Sequence, residues 1–262
     1  MLKAQNLSIA YGHKTVLEDI SFTFEAGESV FLLGKNGAGK STLFKALLGF
    51  LSPASGTIEI NDKNLAAYSQ KELAQTIAYI PQKPNAVFPY TVFEMVLMGT
   101  TAQLHALQTP GAKEEKRAIA ALERLNIWRL AERPFPQISG GEQQLAIIAR
   151  AIAQNSRILL MDEPCASLDY GNQIMVLEMI DQLVQDGYLI FQSSHDPNHA
   201  FQYGSKAVVL NRRHLEVSGA PAEVLTSELL QKIYQVPLEV VEVQDEKVVL
   251  PIKGGKMHVG NL

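Results

Sequence analysis

Gly34-Lys35-Asn36-Gly37-Ala38-Gly39-Lys40-Ser41 matches the pattern G-x-x-x-x-G-K-[ST] at every fixed position. Its surroundings suit the mechanism that the pattern serves. Ser29-Val30-Phe31-Leu32-Leu33, an almost unbroken apolar run, precedes it and reads as a strand buried on both faces. A helical pattern follows from Ser41 to Leu51, with Leu43, Leu47 and Leu48 on its apolar side. Between the two, Gly34, Gly37 and Gly39 let the backbone curl around Asn36 so that successive N–H groups converge on an anion. The helix turns its positive end toward the same point. In this reading Lys40 reaches the β- and γ-phosphates of a nucleotide, Ser41 offers a hydroxyl to Mg²⁺, and Thr42 stands near the α-phosphate.

Farther along, Ile158-Leu159-Leu160-Met161-Asp162-Glu163 is an apolar run closed by two acids. Adjacent carboxylates at the end of a buried strand are costly unless they meet a cation or water. Asp162 is the candidate partner of Mg²⁺, and Glu163 the candidate general base that polarises an attacking water.

Composition limits the alternatives. With 262 residues, 47% hydrophobic and 19% charged, the chain can bury a sizeable core as one large domain, or as one domain with an insertion. A net charge of −4 argues against nucleic acid as a partner held by bulk charge. One cysteine, Cys165, excludes an intrachain disulfide and a multi-cysteine metal site, and suits a reducing compartment; it reads as an inert loop residue. No apolar run approaches the roughly 18 residues that span a bilayer. The start, Met1-Leu2-Lys3-Ala4-Gln5-Asn6, turns polar too early for a signal peptide. The expectation is a soluble chain, or one held at a membrane by a partner.

Strands are expected around Leu7, Ile9 and Tyr11, around Phe22 and Phe24, and at 57–60, 76–80, 158–161, 188–192, 206–210 and 214–217. Their alternation with helices predicts an α/β fold. Residues 84–155 interrupt it as a helical subdomain inserted in the core, in which 113–125 is amphipathic, 90–99 is apolar enough to be buried and Trp128 is a packing residue. Residues 1–220 form the main domain. Residues 221–262 form a small extension with a helix at 227–234 and two strands around Gln244-Asp245-Glu246-Lys247.

Ile138-Ser139-Gly140-Gly141-Glu142-Gln143-Gln144 resembles the signature of the ATP-binding-cassette (ABC) family, Leu-Ser-Gly-Gly-Gln, with departures at Ile138 and Glu142; Leu145 stands where the family often has an arginine. Independently of that likeness, a serine and two glycines opening a helix form a second anion site. The remaining landmarks occur in the family's order. Tyr11 is similar to its adenine-stacking aromatic. Gln82, in Tyr79-Ile80-Pro81-Gln82, resembles the glutamine that touches Mg²⁺ and the attacking water. Asp169, in Ser167-Leu168-Asp169, resembles the loop that crosses the dimer interface, and His195 the histidine that contacts the γ-phosphate. The likeness runs from about residue 2 to 219 and implies a P-loop NTPase core of the ABC type with a small antiparallel β portion.

The resemblance further implies a head-to-tail dimer in which each ATP lies between Lys40 of one copy and Ser139, Gly140 and Gly141 of the other. It implies multi-span permease subunits docked at about residues 83–98, an extracytoplasmic binding protein beyond them, and a place on the cytoplasmic face of the inner membrane. Thr91–Gly99, Ser167–Gln173, His195–Ala200 and Gly219–Leu225 look like importers of metal chelates, such as ferric siderophores, haem or cobalamin, with oxyanion importers as outliers. An exporter cassette, a non-transport switch ATPase and a phosphotransferase are the competing readings.

Overall fold

The computed structural model of the chain describes residues 1–82, 89–105 and 108–253. β1 (Leu2–Tyr11) and β2 (Lys14–Phe24) form an antiparallel hairpin, and β3 (Ser29–Leu33) leads to α1 (Lys40–Leu47). β4 (Ser55–Ile60), the short β5 (Lys63–Asn64), α2 (Gln70–Thr76) and β6 (Ile77–Ile80) follow. Next come α3 (Val92–Leu97), α4 (Ala112–Arg124) and α5 (Gly140–Ala153). β7 (Ile158–Met161), α6 (Tyr170–Gln185), β8 (Leu189–Ser193), α7 (Pro197–Tyr203), β9 (Lys206–Asn211) and β10 (His214–Gly219) complete the main body. α8 (Pro221–Val224), α9 (Ser227–Tyr234), β11 (Leu238–Val243) and β12 (Glu246–Pro251) end the described chain.

Among the described residues the strands form three sheets. The largest has the order β10-β9-β3-β8-β7-β6 and is parallel except for β10. The second, β2-β1-β4-β5, is antiparallel, and β11 pairs with β12. The period of two along a strand divides the large sheet between two cores. Val30, Leu32, Leu160, Phe191 and Val208 pack toward the antiparallel sheet and α1. Phe31, Leu33, Leu159, Met161, Ile190 and Val209 pack toward α3 to α6. Burial on both faces explains why these strands read as continuous apolar runs. Each fully buried leucine or isoleucine contributes about 1.5–3 kcal/mol.

Several local expectations need correction. α1 stops at Leu47, not Leu51, because Gly49 takes a left-handed φ of 72°, where the helix cannot continue. β1 carries an irregular register near Asn6, itself at φ 47°; Leu7 and Ile9 point inward but Tyr11, at the strand's end, is 46% exposed. α2 adds a helix to the elements expected from the sequence, and its cause is local: Ser69 and Glu72 form a reciprocal capping box. Within 90–99, Val92, Met95 and Val96 are buried, whereas Tyr90 and Glu94 are exposed. Trp128 does pack, meeting Phe93 edge-on at 6.3 Å, but it keeps 44% of its surface exposed.

Candidate functional site

Parallel strands end on one edge of their sheet, and a ligand site belongs at the carboxyl ends of such strands. β3 delivers Gly34 there and β6 delivers Gln82. β7 delivers Asp162 and Glu163, and β8 delivers His195. These are the residues that the sequence singled out for phosphate, metal and water chemistry.

Two glycines make the loop possible. Gly34 sits at φ 152°, and a Cβ there would lie 2.6 Å from the Leu210 carbonyl oxygen. Gly39 caps α1 at φ 107°, and its Cβ would lie 2.6 Å from Leu17 Cδ2. A cleft between this loop and Glu163 is walled by Asn36, Gly37, Gly39, Lys40, Ser41 and Thr42. Lys40 is buried, and its Nζ donates to the Gly34 carbonyl at 2.6 Å while lying 4.0 Å from Glu163 Oε1. Burial pulls the ammonium's pKa down, and the carboxylates of Glu163 and Asp162 oppose that shift.

Asp162 and Glu163 have different surroundings. Ser41 Oγ donates to Asp162 Oδ2 at 3.1 Å, and Ser193 Oγ donates to Asp162 Oδ1 at 2.7 Å. The phenol of Tyr79 is pushed up to about 12, by burial first and by the negative charge of Asp162 second. Glu163 takes a left-handed φ of 50°, which costs an L-residue about 1–2 kcal/mol. Its Oε2 accepts from Gln82 Nε2 at 2.7 Å, its Oε1 contacts His195 Nε2, and its backbone N–H donates to Ser193 Oγ at 2.9 Å. The donor set suits a small hard cation: Ser41 and Asp162 present oxygen atoms at hydrogen-bond separation beside the cleft.

Ser139, Gly140 and Gly141 do not line this cleft. Ser139 caps α5 by a reciprocal box with Glu142: its Oγ accepts from the Glu142 N–H at 3.3 Å, and Glu142 Oε2 accepts from the Ser139 N–H at 3.1 Å. Those bonds, the Ser139 backbone foremost, and the guanidinium of Arg129 at 3.1 Å, hold the Glu142 carboxyl below its usual range. Glu142, a departure from the family's glutamine, thus has its charge answered within the chain. Gly141 packs on Asn172, where a Cβ would lie 2.5 Å from the amide. Asn172 in turn donates to Asp169, the N-cap of α6, from its backbone at 3.0 Å and its side chain at 2.7 Å. Ser139–Gly141 and Asp169 therefore form a separate cluster. Tyr11 also lies outside the cleft walls. Leu145, in the place of an arginine, is buried in the helical core.

Ser193, Tyr79 and Arg129 are absent from the sequence-derived candidates. For Ser193 a signal was available: the inward period of β8 places it level with Asp162, two residues before His195. Cys165 is buried, and its thiol is pushed up to about 12 by desolvation, in line with an inert residue.

The family model for ABC transporters matches residues 17–166. The chain is 45% identical to an uncharacterised ABC transporter ATP-binding protein of Haemophilus influenzae, with 92% of each chain aligned. It is 38% identical to the hemin import ATP-binding protein HmuV of Nocardia farcinica, over 92% of this chain and 83% of that one. It is 33% identical to the manganese transport system ATP-binding protein MntB of Listeria innocua, over 89% and 95%. Among solved structures, an inward-facing metal-chelate type ABC transporter superposes with a TM-score of 0.85 at 31% identity, over 97% of this chain and 98% of that one.

Proposed function

The chain belongs to the ABC transporter family as an ATP-binding, ATP-hydrolysing subunit, and from that premise we propose that two copies close head to tail on ATP to power import of a metal chelate. The observation that carries the chemistry is the convergence of Lys40, Ser41, Gln82, Asp162, Glu163 and His195 at one sheet edge. Glu163, held by Gln82 and His195, takes the proton from water as the water oxygen attacks the γ-phosphorus and the bond to the β-phosphate oxygen breaks. Lys40 exchanges the Gly34 carbonyl for phosphate oxygens, and His195 stands beside the γ-phosphate. Ser41 and Asp162, with Gln82 at their side, would hold Mg²⁺, which supplies charge neutralisation along the phosphates. Tyr11, on the exposed end of β1, stacks on the adenine.

The second copy is supported by the placement of Ser139, Gly140, Gly141 and Asp169 away from their own chain's phosphate cleft. A γ-phosphate bridging the two surfaces gives ATP its differential affinity for the closed state, and hydrolysis removes the bridge. In size-exclusion chromatography with ATP and Mg²⁺, the Glu163→Gln chain is expected at the mass of two copies. Adding Ser139→Arg is expected to return it to one. A double variant that still runs as a dimer would sink the trans arrangement.

Among the described residues no helix is long and apolar enough to cross a membrane. The permease dock that the resemblance implied, at 83–98, is assigned to the surface around α3; residues 83–88 lie outside the described residues. Its described part carries the exposed Tyr90 and, through Phe93, the edge-on Trp128. Gln82, which donates to Glu163 at 2.7 Å, directly precedes this segment in the chain. Such docking places the chain on the cytoplasmic face of the membrane, with the binding protein on the other side.

The cargo class rests on the hemin and metal-chelate relatives, and the manganese relative supports a bare cation as a second reading. In the assembled complex with its binding protein, haem or a ferric siderophore is expected to raise ATPase activity and Mn²⁺ is not. Stimulation by Mn²⁺ alone would reverse the assignment.

A further inference from the structure

Ser193 is the last residue of β8 and has no solvent exposure. In the parallel ladder Met161 pairs with Gln192, so the next step along both strands sets Asp162 beside Ser193. Paired residues of a parallel sheet face the same way. Leu160 and Phe191, one period earlier, both pack toward α1, and Asp162 and Ser193 inherit that face. The hydroxyl there has one hydrogen to give and lone pairs to accept with. It gives the hydrogen to Asp162 Oδ1 at 2.7 Å and accepts the Glu163 backbone N–H at 2.9 Å.

The second bond bears on the backbone. Glu163 stands at φ 50°, a conformation that an L-residue holds only when its surroundings over-determine it. The bond that Glu163 N–H makes to Ser193 Oγ fixes the peptide whose rotation aims the glutamate side chain. With that peptide fixed, Asp162 faces Ser41 while Glu163 faces Gln82 and His195. One hydroxyl therefore touches both halves of the acidic pair and separates their directions.

We propose that Ser193 is the positioning residue of the hydrolytic site: its hydroxyl orients the Asp162 carboxylate toward Ser41 and locks the Glu163 peptide so that the general base meets water. The inference rests on the assignment of Asp162 and Glu163 made above. Alanine at 193 takes away the partner of the partly buried Glu163 N–H and frees one oxygen of Asp162.

The test is a double-mutant cycle on the full chain. Ser193→Ala is expected to lower kcat roughly 10–100-fold, the range for residues that orient metal ligands, with KM for ATP changed less than threefold. In the Glu163→Gln background the same substitution is expected to cost several-fold less than in the parent, because the base that it positions is already gone and only the Asp162 contact remains to be lost. Thermal unfolding supplies a readout apart from activity. The stabilisation by ATP alone is retained in Ser193→Ala, and the extra stabilisation on adding Mg²⁺ is reduced. Equal losses in both backgrounds, or a kcat within threefold of the parent, would overturn the proposal. If Glu163→Gln itself hydrolyses at the parent rate, the general-base assignment fails instead, and the two failures are distinct. Should the alanine variant not fold, Ser193→Thr keeps the hydroxyl and is expected within threefold of the parent, while Ser193→Cys, a weak hydrogen-bonding group of similar size, falls more than tenfold. Equal rates for these two would also refute it.

Discussion

Replacing Glu163 by glutamine is expected to lower kcat for ATP hydrolysis by about 10²–10⁴-fold and to leave ATP affinity within a few-fold of the parent. The amide fills the same space and still meets Gln82 and His195, but it cannot take a proton from water. Glu163 is suited to the task because its carboxylate is largely shielded from solvent, lies against the cleft and is gripped from two sides. The carboxylate also lies 4.0 Å from Lys40, so the substitution removes a negative charge from the phosphate site. Binding is for that reason unchanged or slightly tighter, and only the chemical step suffers. Single-turnover hydrolysis and equilibrium titration with ATP separate the two quantities. A variant that turns over within tenfold of the parent would remove Glu163 from the role of base.

Lys40→Ala is expected to have the opposite signature, a loss of binding. Hydrogen bonds to charged groups are worth about 1.5–3 kcal/mol each, so one lost contact to a phosphate weakens ATP by roughly 10–100-fold. Loss of the cation also leaves Asp162 and Glu163 uncompensated beside an incoming polyanion, in the same direction. Lys40→Arg is not a rescue. The ammonium is 6% exposed and closes on the Gly34 carbonyl at 2.6 Å as a compact point charge, a role that the larger planar guanidinium does not reproduce. Calorimetric titration of each variant with ATP reads the effect. An affinity within threefold of the parent would show that the loop's backbone alone binds the phosphates.

The two substitutions together would separate the binding half of the site from the chemical half. The line between them follows the elements. The binding half comes from one local segment, β3 to α1. The chemical half is assembled from three strand ends, with Gln82 and Glu163 81 residues apart in the chain.

That difference governs how much was legible. The shape of the loop at Gly34–Thr42 could be read residue by residue because it is set at short range: glycines at φ values that L-residues avoid, and a helix that opens at Lys40. The fully buried strands were equally plain, since an apolar run on both faces needs cover on both faces. How far Tyr11 and Trp128 stand out of the surface was not legible, because hydrophobicity does not say which residues cap a surface and which lie beneath it. The capping box at Ser69 and Glu72 is likewise a short-range signal, and it starts α2.

The sequence alone determined an α/β fold with a phosphate-binding loop, because spacing within a loop and period along a strand are properties of neighbours; the cassette family entered through the resemblance carried by Ser139–Gly141 and the motifs around it. Only the tertiary structure decides the rest. It gives the left-handed turn at Glu163, the buried hydroxyl of Ser193 that touches both acids, and the answer of Arg129 to the charge of Glu142. It also separates Ser139 and its glycines from their own chain's phosphate cleft. These facts depend on which strand lies beside which and at what register, and register is set by packing across the whole sheet.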